Sequence, residues 1–214
     1  LPPEKEVVLH GAGVDLNRYI YTPYTAHDPP RFLFVGRLMR EKGVEELFCA
    51  VRRLWTEGFH VHLQLLGFFE EQYRQEVDRL VAGGMTEFYG FQKEPLSFYQ
   101  NCDCVVLPSY HEGMSNVLLE AAAVGRPIIA SDIPGCREAV EHSKTGLLCR
   151  AKDADSLYVA MRAFLALSAE QKAALGQNGR RKMEREFDKA SVVAETLRIV
   201  TAEKAAPQPR RVTA

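Results

Sequence analysis

The chain has 214 residues, 46 % hydrophobic and 26 % charged, enough apolar material for a packed core and outside the composition of a disordered segment. Its 27 Lys and Arg against 28 Asp and Glu give a formal charge of -1, which excludes the broad basic footprint of a non-specific nucleic-acid binder but allows a local phosphate site. No apolar run approaches the roughly 18–20 residues needed to span a bilayer.

Taken in chain order, the sequence opens on Leu1-Pro2-Pro3-Glu4, without initiator Met or signal peptide, as though cut from something longer. A short strand is expected over Glu6–Leu9, then an exposed linker carrying Pro23, Pro29 and Pro30. Phe32–Val35 reads as a strand, and Gly43–Glu57 as a helix with Val44, Leu47, Phe48, Val51, Leu54 and Trp55 at three-and-four spacing. Next come a strand over Val61–Leu66, a helix over Glu70–Val81, a strand over Thr86–Tyr89 and a short helix over Leu96–Gln100. Cys104–Leu107 is a strand stopped by Pro108, Asn116–Val124 a helix, Ile128–Ala130 a strand, Arg137–Val140 a helical turn and Leu147–Cys149 the last strand. Short apolar strands alternating with helices imply a parallel sheet buried on both faces, a Rossmann-like α/β domain over about residues 31–150. Three helices then follow, Asp153–Leu167, Ala169–Phe187 and Lys189–Ala205, with Asp153, Ser168 and Asp188 as N-caps; the polar tail over Pro207–Ala214 reads as disordered.

In such sheets ligands bind where strands give way to helices at their carboxyl ends. The stretch Ser109–Glu120 has that position. Val117, Leu118, Leu119 and Ala121–Val124 read as buried, and only Asn116 and Glu120, four apart, break the apolar pattern. A buried carboxylate needs a partner, so Glu120 is expected to meet an internal Arg or Lys, or the hydroxyls of a ligand. The backbone N–H groups from Gly113 to Asn116 form a candidate anion site, unless Ser115 simply caps a solvated helix. The loop Gly36–Gly43 carries Arg37, Arg40 and Lys42, of which Arg37 and Lys42 stand where they would reach a diphosphate; the plainer reading pairs these cations with Glu41 and Glu45. Neither a P-loop nor a G-x-G-x-x-G fingerprint is present. The five cysteines lack zinc-site spacing and read as reduced thiols of a cytoplasmic protein, and Asp153-Ala154-Asp155 reads as a helix cap rather than a metal site.

Several motifs occur in order over residues 8–150: Gly11-Ala12-Gly13-Val14-Asp15, Val35-Gly36-Arg37-Leu38 with Lys42-Gly43, Tyr89-Gly90-Phe91, Leu107-Pro108-Ser109-Tyr110, Glu112–Glu120, Gly125-Arg126-Pro127, Asp132–Glu138 and Thr145–Leu148. In these the chain resembles the C-terminal, donor-binding domain of retaining glycosyltransferases of family 4, one half of the two-domain GT-B fold. The resemblance divides the chain into an interdomain linker with a short strand (1–30), a nucleotide-sugar-binding domain (31–187), a crossover helix (188–206) and the tail (207–214). It implies that Glu112 faces the transferred sugar as the catalytic carboxylate and that Glu120, seven intervening residues on, binds the ribose. It further implies that Arg37, Lys42, Gly113, Met114, Ser115 and Asn116 hold the diphosphate, and that Phe91 and Gln92 border the base. No cofactor or metal is implied; the donor is a nucleotide sugar, UDP-linked in preference to GDP-linked, because Glu112–Asn116 is similar to members acting on N-acetylated sugars. The acceptor would be a glycan or lipid-linked hydroxyl, met through an N-terminal domain not in this chain, in the cytoplasm or at the inner face of the membrane. Gly67-Phe68-Phe69-Glu70 departs from the Gly-Asp-Gly-Pro of many members. The other readings are a non-catalytic nucleotide-sugar-binding module and a GT-B epimerase.

Overall fold

A computed structural model describes Gly11 and residues 13–205; the expected strand Glu6–Leu9 and the tail from Pro207 lie outside the described residues. Among the described residues, six strands form one parallel sheet in the order β3-β2-β1-β4-β5-β6: β1 (Arg31–Val35), β2 (His62–Leu66), β3 (Thr86–Phe88), β4 (Cys104–Leu107), β5 (Ile128–Ser131) and β6 (Gly146–Cys149). β4 and β5 are buried at every position, as strands covered on both faces must be.

Among the described residues, eight α-helices connect and flank the strands: α1 (Val44–Thr56), α2 (Arg74–Ala82), α3 (Leu96–Gln100), α4 (Asn116–Val124), α5 (Pro134–Arg137), α6 (Ala154–Ala166), α7 (Ala169–Glu186) and α8 (Lys189–Ala205). The order reverses between β1 and β4, and right-handed crossovers then put α1 and α4 on opposite faces. α1 packs with α6 and α4 with α7, and Phe164 of α6 meets Phe32 of β1 edge-on at 5.7 Å. Asp153 caps α6 through the Ser156 N–H (2.8 Å), Ser168 and Gln171 form a capping box on α7, and Asp188 accepts from the Ser191 N–H (3.2 Å).

Two elements differ from the pattern expected. The first turn of the predicted Glu70–Val81 helix is a separate 3-10 turn, Glu71–Tyr73. The predicted Arg137–Val140 turn begins three residues earlier, because Pro134 at the first helical position is already set for a helix and needs no N–H. The segment before β1 is also tied down rather than lying free. Val14 and Tyr19 are buried, and buried Asp103 accepts from Tyr24 Oη (2.8 Å) and the N–H groups of His27 (3.0 Å) and Arg31 (2.8 Å). Fully buried Arg126 donates to the carbonyls of Thr22 and Pro23.

All five cysteines are free; Cys49 on α1 is exposed, while Cys102, Cys104, Cys136 and Cys149 are buried. Burial pushes the thiols of Cys102, Cys136 and Cys149 up to about 12. The first turns of α8 are tied in by bonds between Val14 and Phe187 and between Lys189 and Val14, and by buried Val192. Beyond them Val193, Leu197 and Val200 are exposed.

Candidate functional site

The loops that leave β1 and β4 meet at the carboxyl edge of the sheet, where its strand order reverses. Gly43 makes the meeting possible. It sits in the left-handed region at φ 69°, and a Cβ there would lie 2.0 Å from the Pro108 carbonyl oxygen. The Tyr110 N–H donates to the Glu41 carbonyl (2.8 Å), joining the loops. Lys42 ends the 3-10 turn Arg40–Lys42, and its Nζ lies 2.6 Å from Glu112 Oε1. Lys42 is therefore paired with Glu112, 70 residues away, and not with Glu41 or Glu45. The carboxylate side chain is 11 % exposed and the lysine 27 %, so the pair is shielded from water yet open on one side.

The Glu112–Gly113 backbone is backed by α5. A Cβ on Gly135 would lie 1.6 Å from the Gly113 carbonyl oxygen, so only glycine lets this helix approach. α4 then starts at Ser115, an extended N-cap residue (φ -85°, ψ 108°) whose side chain makes no capping bond. The reading of Ser115 as an ordinary side-chain cap is thus overturned: the first turn of α4 has neither a side-chain cap nor an acidic residue, and its N–H groups and positive dipole end are left unneutralised. Asn116 is exposed on that turn, with Met114 half-buried and Gly113 exposed before it.

Glu120 lies one turn further along α4. It is half-buried rather than buried, as is Val117, because it borders a cleft of about 230 Å³ lined by Gly13, Asp15, Arg18, Tyr19 and Asn116. Its Oε2 accepts from Tyr99 Oη at 2.8 Å. The partner is thus a tyrosine, neither Arg nor Lys. Burial, reinforced by the charge of Glu120, raises the Tyr99 phenol well above its ordinary value, so it remains a donor at neutral pH. Tyr19 packs edge-on to Tyr99 at 6.2 Å, and its phenol is likewise raised by burial and by Glu120.

Arg37 and the proposed base contacts stand beside this centre. A cleft of about 190 Å³ at the ends of β1 and β2 is lined by Gly36, Arg37, Gly67, Phe68, Phe91 and Gln92. Arg37 is exposed and, among the described residues, its side chain makes no ion pair or hydrogen bond. Gln92 Nε2 donates to the Tyr89 carbonyl (2.7 Å). The structure thus brings Lys42, Glu112 and the Gly113–Asn116 helix start together, and puts Glu120 one turn on. Arg37, Phe91 and Gln92 line the neighbouring cleft and, among the described residues, make no hydrogen bond or ion pair with Lys42 or Glu112. Sequence reasoning missed Tyr99 and Phe68. The only signal for Tyr99 was an unpaired carboxylate in search of a donor; the signal for Phe68 was two aromatics in a turn where polar residues are usual. Asp153 serves as the cap of α6, and among the described residues no three His, Cys, Asp or Glu side chains cluster as metal ligands. No described helix is long and apolar enough to cross a membrane.

Comparison with known proteins accords with this geometry. The chain is 31 % identical over 226 aligned positions to the glycogen synthase of Mycobacterium tuberculosis, covering 98 % of this chain and 52 % of that enzyme. It is 28 % identical to a colanic acid biosynthesis glycosyltransferase of Escherichia coli, covering 94 % and 52 %. The chain therefore spans about half the length of these curated relatives. Among solved structures, the sucrose-phosphate synthase of Thermosynechococcus elongatus superposes with a TM-score of 0.79 at 28 % identity, over 91 % of this chain and 52 % of that one. HepE of Anabaena, solved in complex with UDP-glucose, shares the fold at a TM-score of 0.75 and 22 % identity, over 89 % and 56 %. The family profile of glycosyl transferases group 1 matches residues 23–182, and the chain belongs to that family of GT-B enzymes.

Proposed function

We propose that this chain is the donor-binding half of a retaining glycosyltransferase of family 4. Its donor is a nucleoside diphosphate sugar, UDP-linked in preference to GDP-linked, and its acceptor a hydroxyl of a glycan or lipid-linked sugar in polysaccharide biosynthesis. One observation carries the reading: Lys42, Glu112 and the uncapped start of α4 meet at the carboxyl edge of the sheet, with Glu120 one turn on. An ammonium and unneutralised N–H groups suit a diphosphate, and a half-buried carboxylate held by a tyrosine suits ribose hydroxyls.

In this scheme Lys42, Arg37 and the N–H groups from Gly113 to Asn116 take the diphosphate charge, and no metal is required. Glu120 accepts from the ribose hydroxyls, Phe91 and Gln92 border the base, and Glu112 faces the sugar. The bond from the sugar carbon to the leaving phosphate breaks while the acceptor hydroxyl attacks from the same face. The departing phosphate oxygen takes the hydroxyl proton, and Glu112 stabilises the positive charge that builds on the sugar. The acceptor site belongs to a second Rossmann domain, towards which α8 presents Val193, Leu197 and Val200. Transfer takes place in the cytoplasm, at the inner membrane face where the acceptor is lipid-linked. The activities carried in the relatives' names, and UDP-glucose in HepE, favour this reading of donor and pathway class.

Calorimetry of the 214-residue chain with UDP and GDP tests the reading. Half a site should bind UDP with a Kd between about 1 µM and 1 mM, or about 4–8 kcal/mol. It should transfer no sugar from radiolabelled donor, since nothing orients the acceptor or keeps water out. A chain that binds no nucleotide would refute the assignment of donor half, and multiple-turnover transfer would refute the need for a second domain.

A further inference from the structure

Two aromatic rings stand uncovered at the carboxyl edge. Phe68 and Phe91 are 63 % and 61 % exposed, yet their rings are stacked, 5° from parallel with centroids 5.1 Å apart. They come from different loops, one after β2 and the other after β3. The backbone fixes those loops to each other: the Gly67 N–H donates to the Gly90 carbonyl (2.8 Å), and the Tyr89 N–H to the Leu65 carbonyl (2.9 Å). The Phe68 carbonyl is held in turn by the Leu38 N–H (2.7 Å), in the loop that carries Arg37. Main-chain position is therefore set, while exposed side chains at these two points keep rotational freedom. The neighbouring Phe69 shows the contrast, since it turns inward against Phe88 at 5.0 Å.

We propose that Phe68 is the second face of an aromatic clamp that holds the donor's base by stacking. This rests on the nucleotide-sugar reading given above and adds a residue to it. A planar heteroaromatic ring would displace the contact between the two phenyl rings and lie between them, exchanging one stack for two. With the main chain held, the opening would come from movement of the exposed Phe68 and Phe91 side chains. Arg37 lines the same cleft and would put a positive charge beside the bound nucleotide. Stacking reads a ring's face rather than its edge, so Phe68 serves uracil and guanine alike, and selection between them falls to groups such as Gln92. This gives the Phe68-Phe69 departure from the Gly-Asp-Gly-Pro pattern a purpose: a base contact replaces a tight polar turn.

The test is calorimetry of the 214-residue chain and its Phe68→Leu, Phe91→Leu and Phe68→Trp variants with UDP, GDP and pyrophosphate. Leucine keeps apolar bulk but removes the π face, and the exposure of both sites spares the fold, which thermal melts check. Phe68→Leu should weaken UDP and GDP each about tenfold, about 1.4 kcal/mol, leave pyrophosphate unchanged, and be matched by Phe91→Leu. Phe68→Trp should bind as tightly as the parent. Saturation-transfer NMR should mark uracil H5 and H6 above the ribose protons in the parent and lose that contrast in Phe68→Leu. UDP affinity within twofold of the parent in Phe68→Leu overturns the clamp and leaves the donor-half reading standing. Equal loss of UDP and pyrophosphate also overturns it, because the damage would then lie at the phosphates. A parent chain that binds neither nucleotide overturns both.

Discussion

Replacing Glu112 with Gln should tighten the binding of a bare nucleoside diphosphate while slowing sugar transfer in the complete enzyme. Lys42 Nζ and Glu112 Oε1 are 2.6 Å apart, and the carboxylate is 11 % exposed. Two unit charges about 4 Å apart attract by about 4 kcal/mol at an effective dielectric near 20, before either is dehydrated. Dehydration removes much of that. The net coupling should fall between the ~0–1 kcal/mol of exposed pairs and the ~3–5 kcal/mol penalty for breaking buried ones, at about 1–2 kcal/mol. On the proposed scheme, an incoming diphosphate would compete with Glu112 for the same ammonium. Without that competitor, UDP should bind about three- to tenfold more tightly, or about 0.7–1.4 kcal/mol. Lys42→Ala should weaken UDP by about 1.5–3 kcal/mol, the range for a charge-assisted hydrogen bond. Calorimetry at low and moderate salt resolves both effects, since the exposed share of the attraction is screened. In the complete enzyme, Glu112→Gln should lower kcat more than it changes donor affinity. If Glu112→Gln weakens UDP as much as Lys42→Ala does, Glu112 steers the lysine into place and the competition argument fails.

Tyr99→Phe should weaken UDP by about 1–2 kcal/mol, because Glu120 loses the donor that orients it, and pyrophosphate binding should stay the same; an equal loss for both ligands would sever the link between Glu120 and the ribose. Gly43→Ala puts a Cβ 2.0 Å from the Pro108 oxygen at a positive φ, so urea denaturation should show a loss of about 2–4 kcal/mol, and an unshifted midpoint would contradict the close approach of the two loops. Lys144, aided by Lys182 against partial desolvation, holds the Glu141 carboxyl below its ordinary value. The unfolded chain then binds more protons in acid, so this contribution is full above about pH 4.5 and fades as pH falls through the lowered folded value. Melts from pH 7 to pH 3 should show that decline, reduced in Glu141→Gln; an identical decline in both proteins would assign it elsewhere.

The sheet was legible because its strands are local. Cys104–Leu107 is an unbroken apolar run ended by Pro108, and Ile128–Ala130 is another ended by Ser131 and Asp132; covering both faces of a strand requires that pattern. Asn116–Val124 was legible in the same way, since Gly125 at φ 84° stops it in the left-handed conformation. Contacts between distant segments were hidden. Gly135 lies ahead of the turn expected over Arg137–Val140, and its approach to the Gly113 carbonyl is a packing need that its own neighbours in sequence do not express. Lys42 and Glu112 each looked ready for a ligand, and nothing in either loop announced that they meet. Glu120 was expected to meet an internal Arg or Lys, or the hydroxyls of a ligand, because its helix looked buried all round; one edge faces a cleft, and within the chain its partner is the Tyr99 phenol.

The distribution of thiols equips this domain with its own folding reporters. In native conditions a maleimide should find Cys49 alone. The other four flank or sit within β4, α5 and β6, the side of the sheet that carries Glu112 and the start of α4. Their labelling requires both an opening of the fold and loss of a proton that burial keeps in place. Pulse labelling followed by peptide mapping would therefore rank the local opening rates across the β4–β6 half of the sheet without any engineered probe. Slower labelling of Cys136 in the presence of UDP, with Cys49 unaffected, would time how far a ligand stiffens the helix that backs Glu112.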